Sequence, residues 1–216
     1  NISFMSNLCC RDATCEDIDA LSSLYGEVFM DNKAYIHVFQ FSDSTKHLNS
    51  LKWLFSKRLR LLLTSFRGPF KIVYDFNEPT KVLASGGCVL NSLKPTIGDM
   101  IQAGILEWPY LWGFASLWRA LVVDNELHNK IKLSGIVYDG ELTMIGVRPD
   151  QQGKGVGSFL ILSLLNDSSI KGKSICLQTQ KEINLSFYKK FEFTELYRDE
   201  LHGFSSWTMA RPSLFN

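Results

Sequence analysis

Apolar positions along the chain fall into two periods, and the change from one to the other marks most of its elements. Ile18, Leu21, Leu24, Tyr25 and Val28 recur at helical spacing. Ahead of them Thr14 and Asp17 form a capping-box pattern, with Asp in place of the usual Glu. A second stripe of Leu48, Leu51, Phe55, Leu59 and Leu62 predicts another amphipathic helix, with Lys52, Lys57, Arg58 and Arg60 mostly off the stripe on a solvated face. Between these helices residues 31–43 are aromatic-rich and read as irregular. Short β-prone runs predict strands over 8–11, 70–74, 81–90, 141–147, 174–179, 193–198 and 204–210. The second and third are joined through Asn77, Glu78 and Pro79, and the last two across 199–203. Gly86 and Gly87 inside a strand suggest a bulge or a close backbone approach. An apolar helix follows residue 158 to about Asn166, and a short one runs over 184–190. The order gives an α/β fold: a mixed, mostly antiparallel central sheet with a parallel central pair, flanked by helices.

Residues 94–132 differ in character, carrying Trp108, Pro109, Tyr110, Trp112, Phe114 and Trp118 before a helical stretch over 117–131. Such a cluster serves either as core or as the apolar wall of a substrate pocket. With 216 residues the chain is long enough to bury a sizeable core, and it reads as one domain over 5–212 with 94–133 as an insertion. A formal charge of +1, from 23 basic and 22 acidic residues, gives no electrostatic case for nucleic acid or an acidic membrane face. Five cysteines at irregular positions form neither a disulfide framework nor paired metal knuckles, so free thiols and a cytoplasmic location are expected. Cys9, Cys10 and Cys15 lie close in sequence without a nearby His, and no metal is expected. No apolar run reaches membrane-spanning length, and residues 1–4 lack a signal-peptide core.

The chemistry concentrates between Val147 and Ser158. A buried strand, a glycine turn and an apolar helix follow one another there, so unpaired N–H groups at the helix start face an anion. Spacing excludes two phosphate-binding loops. Gly153-Lys154 is followed by Gly155 and has Arg148 five residues upstream, which breaks the Walker pattern. Counting from Gly153 or Gly155, the third glycine of a dinucleotide fingerprint falls on Ser158 or Leu160.

The remaining pattern, Gln152-x-x-Gly155-x-Gly157 behind Val147-x-Pro149, resembles the acetyl-CoA signature of the GCN5-related N-acetyltransferases (GNAT). A second anchor agrees: Leu177-Gln178-Thr179, then Asn184 and Phe187-Tyr188. With Trp207-Thr208-Met209 at the end, the arrangement resembles puromycin N-acetyltransferase-like members. Glu192 departs from the family, which has glycine there, and a left-handed cap at that point would be strained.

The resemblance implies transfer of an acetyl group from acetyl-CoA to a primary amine, by direct attack in a ternary complex. Tyr188 then lies beside the thioester sulfur as the acid, and Glu141 occupies the position of the catalytic glutamate of the histone acetyltransferase branch. Tyr188 as packing and Glu141 as a solvated strand-end carboxylate are the plainer alternatives. Backbone groups of Ile145 and Val147 are expected to pair with the pantetheine arm. The amides of Gln152, Gly153, Lys154, Gly155, Val156, Gly157 and Ser158 would hold the pyrophosphate, with the Lys154 side chain at the rim. Asn184 either contacts the pantetheine or caps its helix. The expected partner is a small-molecule amine or a peptide, the expected state a monomer or homodimer, and the rival class a non-catalytic acyl-CoA sensor or interaction domain.

Overall fold

The computed structural model describes residues 7–65, 68–91, 97–133 and 137–213. The expectations for residues 1–4 and 94–96 lie outside them. In chain order the elements are β1 (Leu8–Asp12), α1 (Ile18–Val28), α2 (Lys33–Phe39), α3 (Ser44–Ser65), β2 (Phe70–Asp75), β3 (Glu78–Leu90), α4 (Ile97–Gln102), α5 (Trp108–Trp112), α6 (Phe114–Leu133), β4 (Gly140–Val147), α7 (Val156–Leu165), β5 (Ile175–Thr179), α8 (Ile183–Lys189), β6 (Thr194–Leu201) and β7 (Phe204–Arg211). The seven strands form one sheet in the order β1-β2-β3-β4-β5-β7-β6. Only β4 and β5 are parallel; the other neighbouring pairs are antiparallel.

Each face of the sheet carries its own apolar core. On one, Leu160, Ile161 and Leu164 of α7 and Leu185 and Tyr188 of α8 pack on Val73, Ala84, Leu142 and Leu177. On the other, Leu21 and Tyr25 of α1 and Leu51, Phe55 and Leu59 of α3 pack on Ile72 and Met144, with α5 and α6 adding Trp108 and Val123. Each such fully buried Leu or Phe contributes about 1.5–3 kcal/mol relative to exposure. The predicted stripes of α1 and α3 are therefore the faces that meet the sheet. Among the described residues no helix is long and apolar enough to cross a membrane.

The structure corrects several sequence expectations. Residues 31–43 are not irregular throughout: the Asn32 side chain accepts from the N–H groups of Ala34 and Tyr35 and opens α2, which ends on left-handed Gln40. Pro79 lies inside β3 rather than in the turn. Asp75 pairs with Glu78 and Tyr74 with Val82, so residues 79–81 fall out of register and the missing proline N–H is not required. The last hairpin also turns later than expected. Asp199–Leu201 stay in β6, and the reversal is made by His202 and Gly203 at φ 46° and 82°. Two consecutive positive φ values fit the two-residue turn that matches strand twist.

Candidate active site

A bulge in β4 builds the site. Ser85 pairs with Gly146 and Gly87 with Thr143, so Gly86 alone faces both Met144 and Ile145. Met144 takes φ 54° to make the extra residue fit. The side-chain alternation inverts there: Leu142 faces α7, Met144 joins the α1 and α3 side, and Ile145 and Val147 return to the α7 side. A Cβ on Gly86 would lie 2.4 Å from the Ile145 Cδ1 methyl, so any side chain there would have to displace Ile145.

Beyond the bulge the parallel pair opens. β4 and β5 pair only at Gly140↔Ile175, Glu141↔Cys176 and Leu142↔Leu177. From Thr143 to Val147, β4 keeps its β3 partner but has no register partner on β5. The result is a split in the middle of the sheet, edged by the backbone of the bulged strand. Ile145 and Val147, expected to pair with the pantetheine arm, both lie on this edge. The Val147 carbonyl accepts from Gln152 Nε2 at 3.2 Å, so the Gln152 side chain folds back on the strand end.

The glycine turn closes one end of the split. Gly153 and Gly155 have φ 75° and 89°, and α7 begins immediately after. The Phe159 N–H is bonded to the Gly155 carbonyl at 3.0 Å, which leaves Val156, Gly157 and Ser158 as the first-turn amides ahead of it. Lys154 is exposed at the rim. Gln152 differs from expectation, because its N–H closes the preceding turn on the Pro149 carbonyl at 3.4 Å. Sequence reasoning also missed Gln151. Its side chain is buried and donates to Asp150 at 3.1 Å, while its carbonyl oxygen is buried without a partner. An Asp-Gln-Gln run gives no signal of which glutamine turns inward.

On the α7 face, Tyr188 lies 5.1 Å from the Phe187 ring and 5.9 Å from Phe193. Burial alone raises its phenol above the ordinary tyrosine range, which keeps the proton on the oxygen. Asn184 is the second residue of α8 and does not cap it. Its Nδ2 donates to Thr179 Oγ1 at 2.9 Å, tying α8 to the end of β5 beside the split. Glu192 does take the left-handed conformation, at φ 68°, and Arg211 holds its carboxylate at 2.8 Å.

Glu141 sits on the opposite face from Tyr188, since its neighbour Leu142 points to α7 and strand side chains alternate. It is level with Cys176, one residue before the last paired position. Burial, and after it the Glu141 charge, pushes the Cys88 thiol up to about 12 and raises Cys176 as well, so neither cysteine is a nucleophile at neutral pH. Among the described residues no group of three or more His, Cys, Asp or Glu side chains is arranged to hold a metal ion.

The Glu141 face is bounded by the loop after α1, by α6 and by the β6–β7 hairpin. Lys181 pairs with Asp31 at 2.9 Å, and Asn32 Nδ2 donates to Gln180 at 3.3 Å. Gln178 of β5 donates to the Leu127 carbonyl of α6 at 3.0 Å. The aromatic cluster divides between its two readings. Trp108 is core, stacked 5.6 Å from Phe39 with Nε1 donating to Ser116 at 2.8 Å. Tyr110, Phe114 and Trp118 are instead 92%, 78% and 69% exposed.

A sheet whose parallel central pair splits at a bulge, with a glycine turn and helix start at one end of the split, defines the GNAT acetyltransferase class of fold. Residues 112–195, from the end of α5 to the start of β6, match the family model described as Acetyltransferase (GNAT) domain. Solved structures share the architecture over nearly the whole chain. One, from Corynebacterium glutamicum, is described as histone acetyltransferase HPA2 and related acetyltransferase; it is 13% identical, with 97% of this chain and 98% of that one covered and a TM-score of 0.67. Another is the PaiA N-acetyltransferase of Thermoplasma acidophilum in complex with coenzyme A, 14% identical, 95% and 98% covered, TM-score 0.54. A third is yncA of Salmonella typhimurium with acetyl-CoA, 15% identical, 95% and 94% covered, TM-score 0.52. At these identities the likeness speaks for the fold. The segment matched by the family model contains the split and its glycine turn.

Proposed function

We propose that this protein is an acetyl-CoA-dependent N-acetyltransferase, a single catalytic domain over residues 5–212 acting on a primary amine of a small molecule or peptide. The observation that carries the reading is the open β4 edge from Thr143 to Val147 leading into the glycine turn. A pantetheine arm has the length and amide groups to complete that edge as a short extra strand, in the way extended ligands add to sheets. Its pyrophosphate then meets the amides of Val156, Gly157 and Ser158, with the helix dipole behind them and Lys154 at the rim. Solved relatives with CoA or acetyl-CoA support this donor.

The two faces divide the chemistry. Acetyl-CoA supplies an activated carbonyl and a thiolate leaving group. An ammonium that becomes an amide gives up two protons, and the departing thiolate takes up one. Tyr188, kept protonated by burial, is the donor to sulfur on the α7 face. On the other face Glu141 is the β4 carboxylate beside the split and accepts a proton from the nitrogen as the C–N bond forms. The 94–133 insertion and the hairpin bound the acceptor there.

The reading is tested by calorimetric titration with CoA and by thiol release from acetyl-CoA over a panel of primary amines. CoA binding with amine-dependent thiol release is expected. Binding without release for any amine would make the protein a sensor, and no binding would overturn the reading.

A further inference from the structure

His202 occupies the first position of the hairpin turn between β6 and β7 at φ 46°, where Asn or Gly is the usual choice. A side chain held in a costly backbone conformation invites a functional account. Its Nε2 lies 3.0 Å from Glu126 Oε2 on α6, and its ring stacks on His37 of α2 with centroids 4.5 Å apart and planes 21° apart. The His202 and Glu126 side chains are about one-third exposed, so the pair reaches solvent. Leu127, next to Glu126, accepts the hydrogen bond from Gln178, one residue beyond the last β4–β5 pair. Side chains from α2, α6 and the β6–β7 hairpin thus converge at one imidazole.

Resting on the acetyltransferase reading, the proton count leaves one step unassigned. Tyr188 returns a proton to sulfur and Glu141 takes one from the nitrogen during attack. The proton that makes the arriving amine an ammonium must go elsewhere first. We propose that the Glu126–His202 pair is this first proton acceptor. His202 takes the proton from the acceptor's ammonium on the entry side of the split and passes it to water, and the free amine proceeds to the thioester. Glu126 fixes the ring and its tautomer, as a carboxylate does for a general-base histidine. His37 is a positioning residue: its ring packs against His202, and two protonated rings at this distance would repel.

Among the described residues, the charged and titratable groups near the pair include Lys33 and His37 on α2, Arg119 and Glu126 on α6, and Glu200 on the hairpin. Burial, followed by the charges of His202 and Arg119, lowers the His37 pKa. Lys33 acts on Glu200, which also bonds Arg198 and Ser205.

The test is the pH profile of kcat/KM for one accepted amine in the wild type, His202→Gln, Glu126→Gln and Glu141→Gln, with CoA affinity and melting temperature measured on each. The wild type is expected to show an acid limb in the imidazole range, roughly pH 6–7. His202→Gln should lose that limb and about 10²-fold in kcat/KM at neutral pH, with CoA affinity unchanged. Glu126→Gln should move the limb to lower pH, and Glu141→Gln should lower kcat while keeping it. NMR of the His202 ring nitrogens, which needs no turnover, should show one fixed tautomer in the wild type and a mixture in Glu126→Gln. An acid limb surviving in His202→Gln, or vanishing only in Glu141→Gln, would overturn the assignment. So would equal losses of activity and CoA affinity, which mark a structural role. If the wild type itself releases no thiol with any amine, the acetyltransferase reading fails first, by a separate observation.

Discussion

Two side-chain positions make opposite demands on the chain. Gly155 must hold φ 89° at the entry to α7, where an L side chain costs about 1–2 kcal/mol and, on the proposed function, a Cβ would stand between the pyrophosphate and the backbone. Gly155→Ala should therefore weaken CoA binding at least tenfold in a calorimetric titration and lower stability by about 1 kcal/mol. Glu192 holds φ 68° although it is not glycine. Its exposed pair with Arg211 returns at most about 1 kcal/mol, so Glu192→Gly should be neutral or stabilising by up to about 1 kcal/mol in urea unfolding. The glycines of the turn were legible because spacing alone reports where a positive φ is required. The strained Glu192 was legible only as a departure, and Arg211, which holds it, is 19 positions away. The bond from Asn184 to Thr179 and the inward turn of Gln151 depend in the same way on partners that local sequence does not announce.

Among the elements, the entry to α1 and the β4 bulge set the two faces. Arg11 at the end of β1 grips Asp17 at 2.6 Å, and Asp17 also accepts from the Thr14 N–H at 2.8 Å. The guanidinium, with Thr14, holds the Asp17 carboxyl down at about 2 against the cost of its burial. A depressed carboxylate stabilises the fold fully above its unfolded pKa near 4, and the contribution is lost as pH falls through about 2. After discounting for the part-exposed Arg11, Arg11→Gln should cost about 1 kcal/mol at pH 7, and the difference from wild type should close between pH 4 and 2. At the bulge, Gly86→Ala places a Cβ 2.4 Å from Ile145 Cδ1 and 3.2 Å from its Cα. Overpacking of this kind costs about 1–3 kcal/mol, and displacing Ile145 should lower CoA affinity as well. Periodicity reads the apolar helices and strands well because burial on one face imposes it. It misses α2, a seven-residue helix set by one Asn32 cap, and it cannot foresee the inversion at Met144, where one extra residue changes the face of every later side chain.

Across the whole molecule, the proposed function sets donor and acceptor chemistry on opposite faces of one sheet, meeting through the split between β4 and β5. The donor half was legible in the sequence, because its parts follow one another from β4 to α8. The proposed acceptor half was not, because α2, α6 and the hairpin tip are far apart in the chain and touch only after folding, through His37, Glu126 and His202. The same convergence explains the divided aromatic segment, with Trp108 securing α5 to the core while Tyr110, Phe114 and Trp118 stay exposed. The central proposal, that Tyr188, kept protonated by burial, serves acetyl transfer, is tested most directly by steady-state thiol release from acetyl-CoA in the wild type and Tyr188→Phe with an accepted amine. The account predicts a fall in kcat on the order of 10²-fold with the KM for acetyl-CoA nearly unchanged. Unchanged kcat, or a loss confined to acetyl-CoA binding, would contradict it.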